Sequence, residues 1–389
     1  MRVAGLFAGI GGIELPFHER GHETTLLADS WEPSQKVLAD RFPGVPLVGD
    51  VRDIKSLPSV DVVNAGFPCT DLSQAGRTAG IHGEHSGVVR EVFRLLDQSD
   101  ATWLVLENVR NMLWLDKGEA MRFLTGELER LGFRWAYRLV DSRFGGVPQR
   151  RHRVLFVASR TEDPRSVLFA DDAGEPGDDY YRDDAVGFYW TEGLGGLGWA
   201  PDAVPPLKGG SGVGIASPPA IWAPANPEGR RLVVPSIEEA EQLQGFPRGW
   251  TQAVASGTKN GPRWKLVGNA VTTVVADWLA SRLETPGEWL AEASNPRSEV
   301  RWPAAAWGAD GETFQMNVST WPVRRPYTHL ADLVDLEAAP PLSRRATMGF
   351  LNRAARSRLR FVEDFVLDAK RHVDALDPSL PLTGDTRSA

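Results

Sequence analysis

The chain holds one cysteine, Cys69, in Gly66-Phe67-Pro68-Cys69. A thiolate is very nucleophilic, but only a few per cent of an ordinary thiol ionises at neutral pH. Chemistry built on Cys69 therefore needs a site that favours the thiolate and an electrophile prepared for attack. Groups suited to that task follow in order: the acid of Glu107-Asn108-Val109, then the cations of Gln149-Arg150-Arg151-His152-Arg153. A buried acid can share a proton with a heterocycle, and a guanidinium can hold an oxygen where negative charge gathers. Upstream, Phe7-Ala8-Gly9-Ile10-Gly11-Gly12 is a glycine turn of the kind that lets backbone approach a ligand and offers it free N–H groups. Asp29 and Asp50 each follow a candidate strand. A carboxylate placed there can accept from ribose hydroxyls or from an amino group. Leu243-Gln244-Gly245-Phe246-Pro247 and Gly268-Asn269-Ala270-Val271 complete the set.

The elements that position these groups alternate. Apolar runs at 2–7, 24–28, 60–65 and 103–106 read as strands. Helical patterns at about 11–20, 33–41, 88–98 and 119–131 lie between and after them, and 133–141 with 154–158 read as a closing strand pair. This alternation implies an α/β fold with a parallel, doubly wound sheet. In that fold the glycine turn, Asp29, Asp50, Cys69 and Glu107 all fall at the carboxyl edge, where such sheets bind ligands. From about residue 160 the chain is rich in glycine and proline and reads as short strands and loops. Ser236 with Glu239 three residues on is a capping-box pattern that starts a helix. Another helix runs from about 270 to 283, the segment 287–327 is irregular and Trp-rich, and 342–376 is helical in two pieces. Ten of the fourteen tryptophans follow residue 180, where core burial is the more economical reading than base stacking.

All six blocks, in this order, resemble the DNA (cytosine-5) methyltransferase family. The resemblance covers residues 2 to about 159 and about 230 to 282. It implies a Rossmann-like methyltransferase domain over 1–160 plus 261–285. A small, irregular, β-rich target-recognition lobe would occupy 161–260, and a partly helical C-terminal extension 286–389. It also implies S-adenosylmethionine as cofactor, with S-adenosylhomocysteine as product and no metal. Phe7, Gly9, Gly11, Gly12, Asp29, Trp31, Asp50, Val51, Asn269 and Ala270 would form the cofactor site. Pro68, Cys69, Glu107, Arg151 and Arg153 would form the catalytic set, with Cys69 adding to carbon 6 of a flipped-out cytosine and the methyl group passing to carbon 5. The segment 70–87 matches the family's mobile loop, with Ser73, Arg77 and Gln149 as DNA contacts. Thr70 and His85-Ser86-Gly87 depart from the family's usual residues there. The implied setting is host DNA modification, in restriction or phage defence, by a monomer acting on duplex DNA, with other defence proteins as further partners. The alternatives are the same reaction on tRNA and an inactive DNA-binding regulator. A dinucleotide oxidoreductase would explain the glycine turn and leave the other five blocks without a role.

Composition sets bounds. A formal charge of −8 does not mark a nucleic-acid binder, but local clusters matter more than the sum. A single cysteine rules out an internal disulfide and fits a reducing compartment. The expected location is cytoplasmic and nucleoid-associated, without signal peptide or membrane span. The run Asp171-Asp172 through Asp178-Asp179 to Asp183-Asp184 would repel phosphate and is expected to face solvent or a protein partner. Arg353, Arg356 and Arg360, at spacings of three and four, would form one basic helix face for DNA phosphates.

Overall fold

The computed structural model describes residues 1–67, 87–190, 197–209, 218–255, 261–297, 301–357 and 359–376. Pro68, Cys69, Ser73 and Arg77 lie outside the described residues. Five strands form a parallel core: β1 (Arg2–Leu6), β2 (Glu23–Ala28), β3 (Leu47–Val48), β4 (Val62–Ala65) and β5 (Trp103–Val109). Their order is β3-β2-β1-β4-β5. Helices α1 (Glu14–Glu19), α2 (Glu32–Arg41), α3 (Gly87–Asp97) and α4 (Glu119–Arg130) follow β1, β2, β4 and β5. Buried on both faces, such strands are apolar at every position rather than at alternate ones. In β5, Leu104 and Leu106 pack with Val92 of α3 and Leu124 of α4, while Trp103 and Val105 pack with Phe17 of α1. Strands β6 (Arg134–Asp141) and β7 (His152–Ser159) form the antiparallel pair, with β7 against β5.

A second sheet, ordered β11-β10-β8-β9, holds the irregular middle of the chain: β8 (Val186–Trp190), β9 (Leu197–Pro201), β10 (Ala220–Trp222) and β11 (Leu232–Val233). Helix α5 (Ile237–Leu243) begins at the capping box: the Ser236 hydroxyl accepts from the Glu239 amide, and the Glu239 carboxylate accepts from the Ser236 amide at 2.6 Å. Helix α6 (Gly261–Asn269), which the sequence reading did not anticipate, precedes α7 (Thr273–Glu284). Trp278 and Leu279 of α7 pack on the first sheet, on the same side as α1.

The segment 286–389, expected as an extension of its own, serves both halves. Its strands β12 (Ser294–Pro296), β13 (Ala305–Ala309) and β14 (Glu312–Met316) continue the first sheet beyond β6, making it ten-stranded. Trp302 packs 6.0 Å from Trp135 of β6. Its helices α8 (Arg344–Ala354) and α9 (Glu363–Leu376) cover the second sheet, with Phe188 of β8 set 4.8 Å from Phe350 and 5.0 Å from Phe365. The tryptophans after residue 180 are buried or half-buried, as a core role requires.

Helix α8 ends at Ala354, so Arg353, Arg356 and Arg360 do not share a helix face. The Ser357 hydroxyl accepts from the Leu359 amide, and Phe361 turns inward to lie 5.3 Å from Phe350 and 5.4 Å from Trp199. Phe361 is half-buried in the aromatic cluster, and the helix end separates Arg353 from Arg356 and Arg360.

Candidate active site

Strand order reverses between β1 and β4, and a crevice opens beyond their carboxyl ends. A cavity of about 480 Å³ occupies it, walled by the turn after β1, the end of β2, the end of β5, the start of β7 and the Gly268–Ala270 segment.

One half is built from the glycine turn. Phe7 has φ of 56°, a left-handed conformation that costs a non-glycine residue energy and is typical of ligand sites. Gly9 and Trp31 both donate backbone N–H to the Asp29 carboxylate at 2.9 Å, so this acid ties the two turns together. Burial raises the Asp29 pKa above its ordinary value against the pull of those two donors. A carboxylate has about four acceptor directions, and two backbone bonds leave room for a ligand hydroxyl. Trp31 forms a flat wall, with the Lys265 ammonium 4.6 Å from its ring centre. Asn269 and Ala270 also line the cavity. Gly11 and Gly12 do not; they pack behind it. A Cβ at Gly12 would lie 2.6 Å from the Val271 carbonyl, so glycine lets the first and last motifs touch.

Asp50 and Val51, expected in the cofactor site, do not line this cavity. The Asp50 carboxylate accepts from the Arg52 amide and pairs with the Arg52 guanidinium at 2.6 Å, which holds its pKa below the usual range. Val51 is a core residue. A strand-end acid can cap the next turn as well as bind a ligand, and Asp50 makes that cap here.

The other half joins β5 to β7. Their register places Val109 opposite Arg153, and Arg153 Nε lies 2.9 Å from Glu107 Oε1. Both are nearly buried. Burial lowers the Arg153 pKa, and the Glu107 charge opposes that. Asn108 was missed as a site residue, although it stands inside a quoted motif. Its amide donates to the Phe67 carbonyl at 3.1 Å, and its own oxygen accepts from the Val109 amide. It thus fixes the chain two residues before Cys69.

Arg151 reaches the cavity wall, and its two terminal nitrogens donate inward to the carbonyls of Leu207 (3.2 Å), Gly268 (3.3 Å) and Ala270 (2.8 Å), while its Nε is buried without a partner. Burial and the nearby Arg153 charge pull its pKa well below the ordinary value. Gln149, expected at DNA, is fully buried. Its amide donates to the Leu243 carbonyl and the Gln244 side chain, and its oxygen accepts from the Leu207 amide. Both side chains brace the wall of the site through these bonds. The acidic run is also partly internal. Asp171 pairs with Arg282 at 2.5 Å and Asp172 with the buried Arg138 at 2.9 Å, while Asp178 and Asp179 are exposed. No group of three or more metal-binding side chains occurs among the described residues.

Residues 1–178 match the family model for C-5 cytosine-specific DNA methylase. The chain is 43% identical over 387 residues to the type II methyltransferase M2.BsuMI of Bacillus subtilis, covering 96% of this chain and 98% of that protein. It is 33% identical over 165 residues to the type II methyltransferase M.Bsp6I of a Bacillus species, 41% of this chain and 52% of that one. A Dnmt2 methyltransferase from S. pombe shares the fold, with TM-score 0.53 and 14% identity over 73% of this chain and 98% of that one.

Proposed function

The chain belongs to the C-5 cytosine-specific DNA methylase family, and from that membership we propose that it methylates carbon 5 of cytosine in duplex DNA through a covalent adduct of Cys69. The single observation that carries the residue assignment is the Glu107–Arg153 pair at the cavity. It places an acid and a cation where a planar base with a donor edge and a carbonyl oxygen could be gripped. S-adenosylmethionine, the cofactor used by the family, supplies an electrophilic methyl group. Its fit here rests on the Phe7–Trp31–Asp29 wall and on the backbone held by Gly9 and Ala270.

In this reading Glu107 hydrogen-bonds the N3 and amino edge, and Arg153 stabilises the charge that develops at O2. The Cys69 thiolate adds to carbon 6, which makes carbon 5 nucleophilic. After methyl transfer, loss of the carbon 5 proton and expulsion of Cys69 restore the aromatic ring. Carbon 6 is shielded inside a duplex, so the base must leave the stack, at a cost of about a few kcal/mol. The likeness to M2.BsuMI along nearly the whole chain supports a modification role within a restriction system. No helix among the described residues is long and apolar enough to cross a membrane.

The test uses duplexes carrying 5-fluorocytosine at the methylated position, found by bisulfite sequencing of DNA from expressing cells. The wild type should form a covalent adduct that survives denaturing electrophoresis, because fluorine cannot leave as a proton does. Cys69→Ser should bind DNA and give neither adduct nor methylation. A methylating serine variant would overturn the mechanism.

A further inference from the structure

Next to the large cavity lies a smaller one of about 50 Å³. The two share Phe7, Gly9, Gly66, Glu107, Asn269 and Ala270 as walls, and the smaller one adds Glu14. Glu14 is 2% exposed. Its Oε1 has the Asn64 amide at 3.4 Å, a long contact, while its Oε2 and the Asn64 oxygen are buried without partners. Room for the carboxyl comes from Gly5, where a Cβ would lie 2.6 Å from Oε1. The chain has therefore kept a side chain off β1 and filled the space with a buried acid, one of whose oxygens has no partner. Buried acceptors of this kind are rare in native proteins and cost about 1–3 kcal/mol each unless something completes them.

Resting on the reading that the large cavity takes S-adenosylmethionine, we propose that Glu14, with Asn64 beside it, receives the α-ammonium group of the cofactor's methionine portion. The volume suits one small polar group, since a water claims about 30 Å³. The site is acidic: Glu107 shares the small cavity, and the Asp29 charge acts on Glu14. An ammonium brings three donors to acceptors that lack them.

The experiment is calorimetry on the full chain with three probes: S-adenosylhomocysteine, its deamino analogue, and methylthioadenosine, which lacks the amino-acid portion. Wild-type affinity for S-adenosylhomocysteine tests the cofactor reading itself, and absence of binding would remove that reading together with this one. Given binding, the deamino analogue should be weaker by roughly ten- to hundredfold, the usual worth of a charge-assisted hydrogen bond. Glu14→Gln should weaken S-adenosylhomocysteine by a similar factor and leave both other probes unchanged. Equal affinity of wild type for S-adenosylhomocysteine and its deamino analogue overturns the proposal. So does a uniform loss of all three probes in the variant, which would mark Glu14 as structural. If Glu14→Gln does not fold, Glu14→Asp takes its place: S-adenosylhomocysteine should weaken with the deamino analogue and methylthioadenosine unchanged, and no change for S-adenosylhomocysteine overturns the proposal.

Discussion

Arg151 and Arg153 flank one histidine and have opposite duties. Arg151 holds three backbone carbonyls in the interior, whereas Arg153 faces Glu107 at the cavity. Arg151→Ala should therefore lower stability by about 3 kcal/mol or more, since buried carbonyls lose their donors; urea denaturation measures it. Arg153→Ala should stay folded and lose turnover by about a hundred- to a thousandfold, the scale for removing one group at a developing oxyanion. If both variants lost only stability, the division would fail. Glu14 adds a pH dependence. Burial pushes its pKa from 4.5 up to about 7. Between those values the native state holds a proton that the unfolded chain has released, so this group's contribution to stability is full below about pH 4.5 and falls as pH rises through 7. The total change is about 3 kcal/mol. The stability of Glu14→Gln relative to wild type should accordingly increase from about pH 5 to about pH 8, and a flat difference would contradict the burial argument. At this scale residue types were legible in the sequence, while duties were legible only in part. Glu107 stands at the cavity, where its neighbours in the chain led one to expect it. Glu14 owes its setting to a missing side chain at Gly5, and Asp50 to a cation two residues away; neither relation shows in a motif.

Elements were legible where their pattern was regular. The strands and helices expected through Ser159 fall within a few residues of expectation, because short apolar runs alternate there with helical patterns. Strands β12 to β14 have three to five residues and include Pro296 and Gly308, too short and too interrupted to carry a period. The three-and-four spacing of Arg353, Arg356 and Arg360 was a true helical spacing, but the helix ends at Ala354 and Phe361 packs with Phe350 and Trp199 instead of continuing it. Helix α5 shows how an element is fixed to the site. Glu241 on it is fully buried and accepts from the Gly249, Trp250 and Thr251 amides and from Arg263 of α6 at 3.0 Å. Glu241→Ala would strand three amides and leave the buried Arg263 with only Glu238 and Thr251 as partners. A loss of about 3–5 kcal/mol is expected, with Glu241→Gln milder; a shift below about 1 kcal/mol in a thermal melt would refute the buried network.

At the scale of the molecule, the last hundred residues are no appendage. They complete the sheet that carries the crevice and roof the sheet of the lobe. A chain ending after residue 290 should therefore fail to give a soluble, cooperatively unfolding protein, although every catalytic candidate precedes that point; a sharp melt for that fragment would show the opposite. Before β13 arrives, β6 is an open edge, with Trp135 and Tyr137 lacking the cover of Trp302. Edges of this sort invite pairing with other chains. In a living cell this becomes a matter of timing. Ribosomes add about 5–20 residues per second, so roughly ten seconds or more separate β6 from the strand that seals it. Through that interval the growing polypeptide depends on a chaperone, or on its own slowness to collapse. If the fragment, as expected, fails to fold, an aborted translation product leaves no half-competent methylase to mark DNA.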